Sequence, residues 1–501
     1  MKKLQIDWIS MIVPLAGALF LAILFMLIPD ESTIALDRIR GFLGDDIGVY
    51  YILMGLFAFG ASMYIAFSRF GQIRLGKETD KPQYGAFAWG SMVFTSTMAA
   101  DILFFSLHEW ALYAAEPRIA ALGDMQVWAP TFPLFHWGPI AWSFYIVLAA
   151  SFAFMLHVRK RTKQKFSEAC RPLLGDKVDG PLGKTIDLVA IFALIAGTAT
   201  TFSLATPLLA SAFAEVAGIG VGVVLTVSIL ILIAVVYTIA VLSGMEGVSK
   251  LANASVYVFF ALLFYFLFLG GETRYIIETG IASIGNLAQN FIVLTTWTDP
   301  LRTDSFPQNW TTFYWAYWMA WCVATPFFIG MISKGKTLKE TILGAYFWGL
   351  AGTFTSFIIL GNYGLAQQMI HGLDSAGAIY AGANANYVII NIINTLPLPA
   401  LALILLAVNM IIFYASTFDA LTMVVSRYSY KEMTNDDMPS KKVRTYWAML
   451  FILFPIALIF AQNSLYSLQS MAIIAAFPIG IVIITIVFSF FKDAKAYLNE
   501  K

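Results

Sequence analysis

Residues 445–491 read TYWAMLFILFPIALIFAQNSLYSLQSMAIIAAFPIGIVIITIVFSFF, without a single Asp, Glu, Lys or Arg. A bilayer core is crossed by about 20 apolar residues in a helix, so this stretch holds two spans joined by a short turn. The same reading extends along the chain. Residues 125–158, 188–214, 216–245, 341–373 and 375–418 are also free of charged side chains. Over all 501 residues the hydrophobic fraction is 59%, the charged fraction 12% and the mean hydropathy +0.76. A soluble domain carries about 25% charged residues, and half that cannot cover a water-facing surface of this size. A soluble enzyme, a disordered chain and a nucleic-acid binder are excluded. An outer-membrane barrel is disfavoured too, because its strands alternate apolar and polar residues over about 10 positions.

The pattern predicts an all-α integral membrane protein with twelve transmembrane helices, at 8–28, 49–68, 87–114, 134–158, 185–213, 221–242, 252–271, 310–332, 341–362, 398–425, 443–461 and 469–491. The first apolar run, Trp8–Ile28, has no small-residue cleavage site and reads as an uncleaved span. Residues 272–300 include Glu272, Arg274 and Glu278 and read as a helix on the membrane surface. Residues 363–397, with His371, read as an external loop with short helices. With the N-terminus inside, the inside segments hold 26 of the 31 Lys and Arg residues. By the positive-inside rule both termini are cytoplasmic. The densest basic run, RKRTKQK at 159–165, reads as an orientation anchor. The short tails leave no aqueous domain, so a nucleotide-driven pump is not expected.

Spans 3–7 and 8–12 then form two five-helix sets of opposite direction. This is the topology of a five-plus-five inverted repeat, whose broken first helices meet at the midplane. The expected division is two extra N-terminal spans over 1–86, a first repeat over 87–271, an interfacial helix and loop over 272–309, and a second repeat with a short tail over 310–501. Cys170 and Cys322 read as unpaired thiols. No C-x-x-C, H-E-x-x-H or Walker sequence occurs, so no cofactor and no metal centre is expected.

Span 3 reads FAWGSMVFTSTMAADILFFSLHEWALYA over 87–114, with Asp101 halfway along it. A carboxylate at mid-bilayer costs about 2.5–3.5 kcal/mol on insertion scales. It therefore takes a partner, a bound cation or a proton. Thr95, Ser96 and Thr97 precede it and can supply hydroxyls and unwound carbonyls. His108 and Glu109 follow near the outer end and read as residues of an external vestibule.

Two aromatic clusters stand out. Trp137, Trp142 and Tyr145 crowd the start of span 4, where Gly138-Pro139 weakens the helix. Span 8 opens WTTFYWAYWMAWCVATPF over 310–327, placing Tyr314, Trp318 and Trp321 on one stripe. Aromatics near helix ends usually form interfacial belts. Trp318 and Trp321 lie deeper than a belt requires, and Pro326 breaks their span. Aromatic faces attract cations, each by about 0.5–1 kcal/mol when exposed and about 2 when dry. A quaternary ammonium suits such a box, since it cannot donate a hydrogen bond. Asp101 is then free for a coupling ion. In span 10, Ser416 and Thr417 are adjacent hydroxyls ahead of Asp419, a pattern that can hold sodium but also serves helix packing.

Nearly the whole chain resembles the betaine/choline/carnitine transporter family. The most specific stretch is WTTFYWAYWMAWCVATPFFIGMISKGKT (310–337), followed by HWGPIAWSFY (136–145) and SGMEGVSKLANASVY (243–257). The resemblance implies that Trp137, Trp142 and Tyr145 are aromatic-box positions. It also implies that Trp318 and Trp321 are substrate tryptophans, with Tyr317 in place of a third. Asp101 replaces the last glycine of a G-M-G-x-G run, as in the proton-coupled choline branch. The family's sodium site would correspond to the carbonyls of Thr95, Met98 and Phe413 and the hydroxyls of Ser416 and Thr417. Val323 stands where many members have proline, and Met331 where they have arginine. HEWALY (108–113) and HWGP (136–139) are similar to the carnitine branch, which often exchanges substrate for product without net ion flow. The short C-terminus lacks the basic tail of osmosensing members, so regulated osmoprotection is not expected.

The leading expectation is a secondary transporter for glycine betaine, carnitine, choline or a related trimethylammonium, working by alternating access in a bacterial cytoplasmic membrane. Backbone amides of the unwound Thr97–Ala100 stretch, Met98 included, would receive a carboxylate. Proton coupling through Asp101 is the first choice. A sodium-coupled symporter and an ion-independent exchanger are the alternatives. The resemblance further implies a homotrimer. Other classes are an amino-acid or nucleobase symporter, an integral-membrane transferase and a channel. A transferase would need charged residues clustered at one membrane face, and the mid-membrane acids here are isolated. Competition by trimethylated compounds separates the symporters, and conductance above carrier turnover would reveal a channel.

Overall fold

The computed structural model describes residues 4–95, 100–161, 163–243, 245–433, 437–460 and 465–500. Among these the fold is all helical, with extended pairing limited to the single bridges Ile6–Tyr430 and Arg74–Thr337. The long helices are α1 (Trp8–Leu27), α2 (Val49–Phe67), α3 (Ala86–Thr95), α4 (Ala100–Ala114), α5 (Pro139–His157), α6 (Pro181–Ala217), α7 (Val223–Ser243), α8 (Met245–Phe264), α9 (Thr273–Thr296), α10 (Thr312–Trp321), α11 (Thr325–Ile332), α12 (Leu338–Ser356), α13 (Pro399–Tyr428), α14 (Lys441–Phe460) and α15 (Leu465–Glu500). Among the described residues, seven helical stretches are long and apolar enough to cross a membrane, and ten if each of three bent pairs counts as one span. The expected spans at 221–242 and 443–461 fall on α7 and α14.

Burial orders the helices. In α1 only 33% of the apolar window is buried, and Ile9, Ile12, Phe20 and Ile23 face outward as a lipid-facing side would. In the stretch ending with α5, 94% is buried. Span 4 is therefore the protein-enclosed centre of the bundle, packed on by α2, α11, α12 and α15.

Three breaks shape the bundle. α3 and α4 meet at 74°, and Thr97, Met98 and Ala99 of the expected unwound stretch lie outside the described residues. α10 and α11 meet at 57° across Cys322–Ala324. Pro326, in the first turn of α11, has no N–H to carry the helix through. The chain also turns by 109° between α8 and α9, at Gly271, whose φ of +87° is open only to glycine at low cost. α9 is the helix expected on the membrane surface. Short helices at Ser375–Tyr380 and Ala385–Asn394 occupy the loop read as 363–397.

The basic loop after α5 is paired rather than loose. Arg159 and Arg161 both reach Asp493 of α15, at 2.8 and 2.9 Å. Arg171 bridges Glu168 and Asp179, each at 2.8 Å. Lys184 of α6 pairs with Asp7, the N-cap of α1. Burial pushes the Asp7 carboxyl up, but Lys184, Lys165 and the Ser10 amide together hold it below the usual carboxylate range. Cys170 and Cys322 are free thiols, both buried.

Candidate functional site

The helix before α5 ends at His136, and the break falls on Trp137 and Gly138. Pro139 restarts the helix from its first turn, where a missing N–H costs nothing. The Trp137 carbonyl, left outside a helix, accepts a hydrogen bond from Thr353 of α12 at 2.9 Å. This fixes one wall of an aromatic cluster.

Trp318 of α10 is its centre. Ring centroids lie 5.6 Å from Trp137, 5.6 Å from Trp142 and 4.9 Å from Tyr145. Trp142 and Tyr145 meet at 6.0 Å. All four rings are buried. Trp142 lies flat on Gly349 of α12, where a Cβ would come within 2.6 Å of the indole. Phe105 of α4, Tyr314 of α10 and Phe357 flank Trp137 at 5.7, 5.9 and 5.2 Å.

Two other expected box residues make their nearest contacts outside these four rings. Trp321 is buried against α6, and a Cβ on Gly197 would lie 3.1 Å from its Cδ1. Tyr317 turns its hydroxyl to Asp101 and to Thr201 of α6, 2.5 Å from the threonine. Thr201 also donates to Asp101 Oδ2 at 3.3 Å. Asp101 lies buried in the first turn of α4 and is held by donors from α6 and α10. A helix N-terminus favours a carboxylate, so local geometry suits an acid at this position.

Comparison with known proteins bears on the chain as a whole. The description of BCCT, betaine/carnitine/choline family transporters, matches residues 9–499. The chain belongs to the betaine/carnitine/choline transporter family. It is a multi-pass membrane transporter and not an enzyme. A "Probable glycine betaine transporter" of Desulfitobacterium hafniense is 30% identical over 95% of this chain and 96% of its own length. The "Glycine betaine transporter OpuD" of Bacillus subtilis is 28% identical over 99% of this chain and 95% of its own. A "Carnitine transporter" of Acinetobacter baumannii is 26% identical over 86% of this chain and 78% of its own.

In this transporter the candidate cation residues divide between two helices. Thr95 at the end of α3 spends its hydroxyl on the Ser91 carbonyl, at 2.9 Å. In α13 the Ser416 hydroxyl donates to the Phe413 carbonyl at 3.2 Å. Phe259 of α8 bridges the two segments, 6.1 Å from Phe94 and 5.5 Å from Phe413. Thr417 lies one residue after Ser416 in α13. Met98, Ser96 and the Asp419 side chain lie outside the described residues.

The vestibule expectation for His108 and Glu109 is not met. Both are fully buried, because α4 runs inside the bundle and not along its mouth. His108 Nδ1 lies 2.6 Å from the Phe104 carbonyl. Glu109 accepts from Trp137 Nε1 at 2.9 Å and from the Tyr113 hydroxyl at 2.5 Å. Tyr113 in turn lies 2.6 Å from His136 Nδ1, and His136 Nε2 lies 3.1 Å from the Thr311 hydroxyl. Sequence reasoning missed this network and Thr201. One signal was present: Glu109 and Tyr113 are four residues apart, on one helix face.

Proposed function

We propose that this transporter moves a quaternary ammonium compound across a bacterial cytoplasmic membrane by alternating access. Glycine betaine, carnitine, choline and related trimethylammonium compounds are the candidates. One observation carries the reading. Next to the breaks in spans 4 and 8, Trp318 gathers Trp137, Trp142 and Tyr145 into a buried cluster. Such faces hold a methylated cation by about 2 kcal/mol each when dry. A cation sits within about 6 Å of a ring centroid, so a headgroup held between two of these rings must part them. The names of the relatives, for glycine betaine and carnitine, agree with this choice. Tyr317 and Trp321 would border the substrate from span 8, and Met98 with its neighbours would receive a carboxylate.

Coupling runs through Asp101 as a proton site in this reading, gated by Tyr317 and Thr201. A sodium site at Thr95, Met98, Phe413, Ser416 and Thr417, or exchange without ion flow, is the alternative. The architecture is twelve spans with both termini cytoplasmic. Residues 1–86 stand outside two inverted five-helix sets over 87–271 and 310–501, which the surface segment 272–309 connects. The 74° and 57° bends support this, since they fall in the first helix of each set. The assembly is a homotrimer on family resemblance.

The test is calorimetric titration of the purified protein with glycine betaine, carnitine and choline. Trp318→Ala should weaken the dissociation constant at least tenfold, about 1.4 kcal/mol. An unchanged constant removes the aromatic box.

A further inference from the structure

Glu109 is a buried carboxylate that the proposed transport cycle does not use. Among the described residues no Lys, Arg or His forms an ion pair with it. A charge buried without a counter-ion is strongly disfavoured unless something cationic compensates it. Its neighbours are the Trp137 indole, which can only donate, and the Tyr113 hydroxyl, which can donate or accept. Trp137 Nε1 points at Oε2 and the Tyr113 hydroxyl at Oε1. When Glu109 is ionised, the single Tyr113 proton goes to it and the His136 Nδ1–H donates to the tyrosine oxygen. His136 Nε2 then accepts from Thr311. In that order every bond runs one way and ends on the carboxylate. An ionised Glu109 with a neutral histidine satisfies the whole chain, and so does the reverse order with a proton on Glu109.

Trp137 is singled out among the site tryptophans. The indole N–H groups of Trp142, Trp318 and Trp321 are buried without a hydrogen-bond partner, whereas that of Trp137 is held. Hydrogen bonding to an anion fixes the ring and enriches its π-face. That strengthens its attraction for a cation.

We propose that Glu109 is a positioning residue of the binding site. It orients Trp137 and, ionised when a cationic headgroup is bound, supplies through the indole the negative charge that balances it. The site is thereby matched to a permanently cationic nitrogen and against an uncharged isostere of the same shape. This inference rests on the aromatic-box reading above.

A double-mutant cycle tests it, with calorimetric titration of glycine betaine, carnitine or choline, whichever binds the wild type. Glu109→Gln keeps an acceptor and loses the charge. It should weaken binding at least tenfold, whereas in a Trp137→Phe background the same change should cost less than threefold. Equal losses in both backgrounds, or wild-type affinity in Glu109→Gln, overturn the proposal. Should Glu109→Gln not fold, Glu109→Asp replaces it, since it cannot span both donors. A loss of threefold or more that vanishes with Trp137→Phe is then expected, and an equal loss in both overturns it. Trp318→Ala is the control. Unchanged binding there removes the box itself, whereas a loss there without one in Glu109→Gln removes only this inference.

Discussion

Asp101 is a strut and, in the proposed cycle, also a switch. Its carboxylate receives Tyr317 and Thr201, from residues 216 and 100 positions away. It thereby ties three spans together at a point where a bare charge would be unstable. Protonation weakens those bonds, because a neutral acid accepts a hydrogen bond less strongly than a carboxylate. In the proposed coupling, spans 3, 5 and 8 then separate more easily. Asp101→Asn should therefore cut uptake driven by a proton gradient at least tenfold in proteoliposomes, while leaving at least a third of substrate exchange. If wild-type uptake is indifferent to both pH and sodium, the exchanger reading replaces the coupled one.

At the scale of the element, the site depends on how closely helices approach. α12 meets α5 through Gly349 under Trp142, and α10 meets α6 through Gly197 beside Trp321. Gly349→Ala should push the Trp142 indole off its seat, at a cost of about 1–3 kcal/mol of overpacking. A lower unfolding temperature in detergent and at least threefold weaker ligand binding are expected together. Breaks and rings were legible in the sequence because both are local. Gly138-Pro139 and Pro326 interrupt helices through missing donors, and Trp318 shows its depth by its distance from the span's end. Partnerships were not legible. Thr201 sits mid-helix and looks like any packing hydroxyl. Tyr317 was read as a ring, but its hydroxyl meets the acid. Glu109 was set outside because it lies near a helix end, and only tertiary packing shows that this end is enclosed.

For the whole molecule, the charge-free runs gave the all-helical membrane class directly, since no soluble surface can be built from them. Orientation is a separate matter and can be checked in intact cells. The two native thiols are buried and give little background. Thr303→Cys, on an exposed loop after α9, should react with a membrane-impermeant maleimide, and Lys177→Cys should not. The reverse pattern overturns the topology. The touching rings of Trp318, Trp137, Trp142 and Tyr145 carry one more consequence. If they hold the headgroup as proposed, the girth of the guest and the motion of the carrier are a single variable. Trimethyl groups that let the cage close again are cargo. A bulkier onium that wedges it open is a plug, gripped at least as firmly and never delivered.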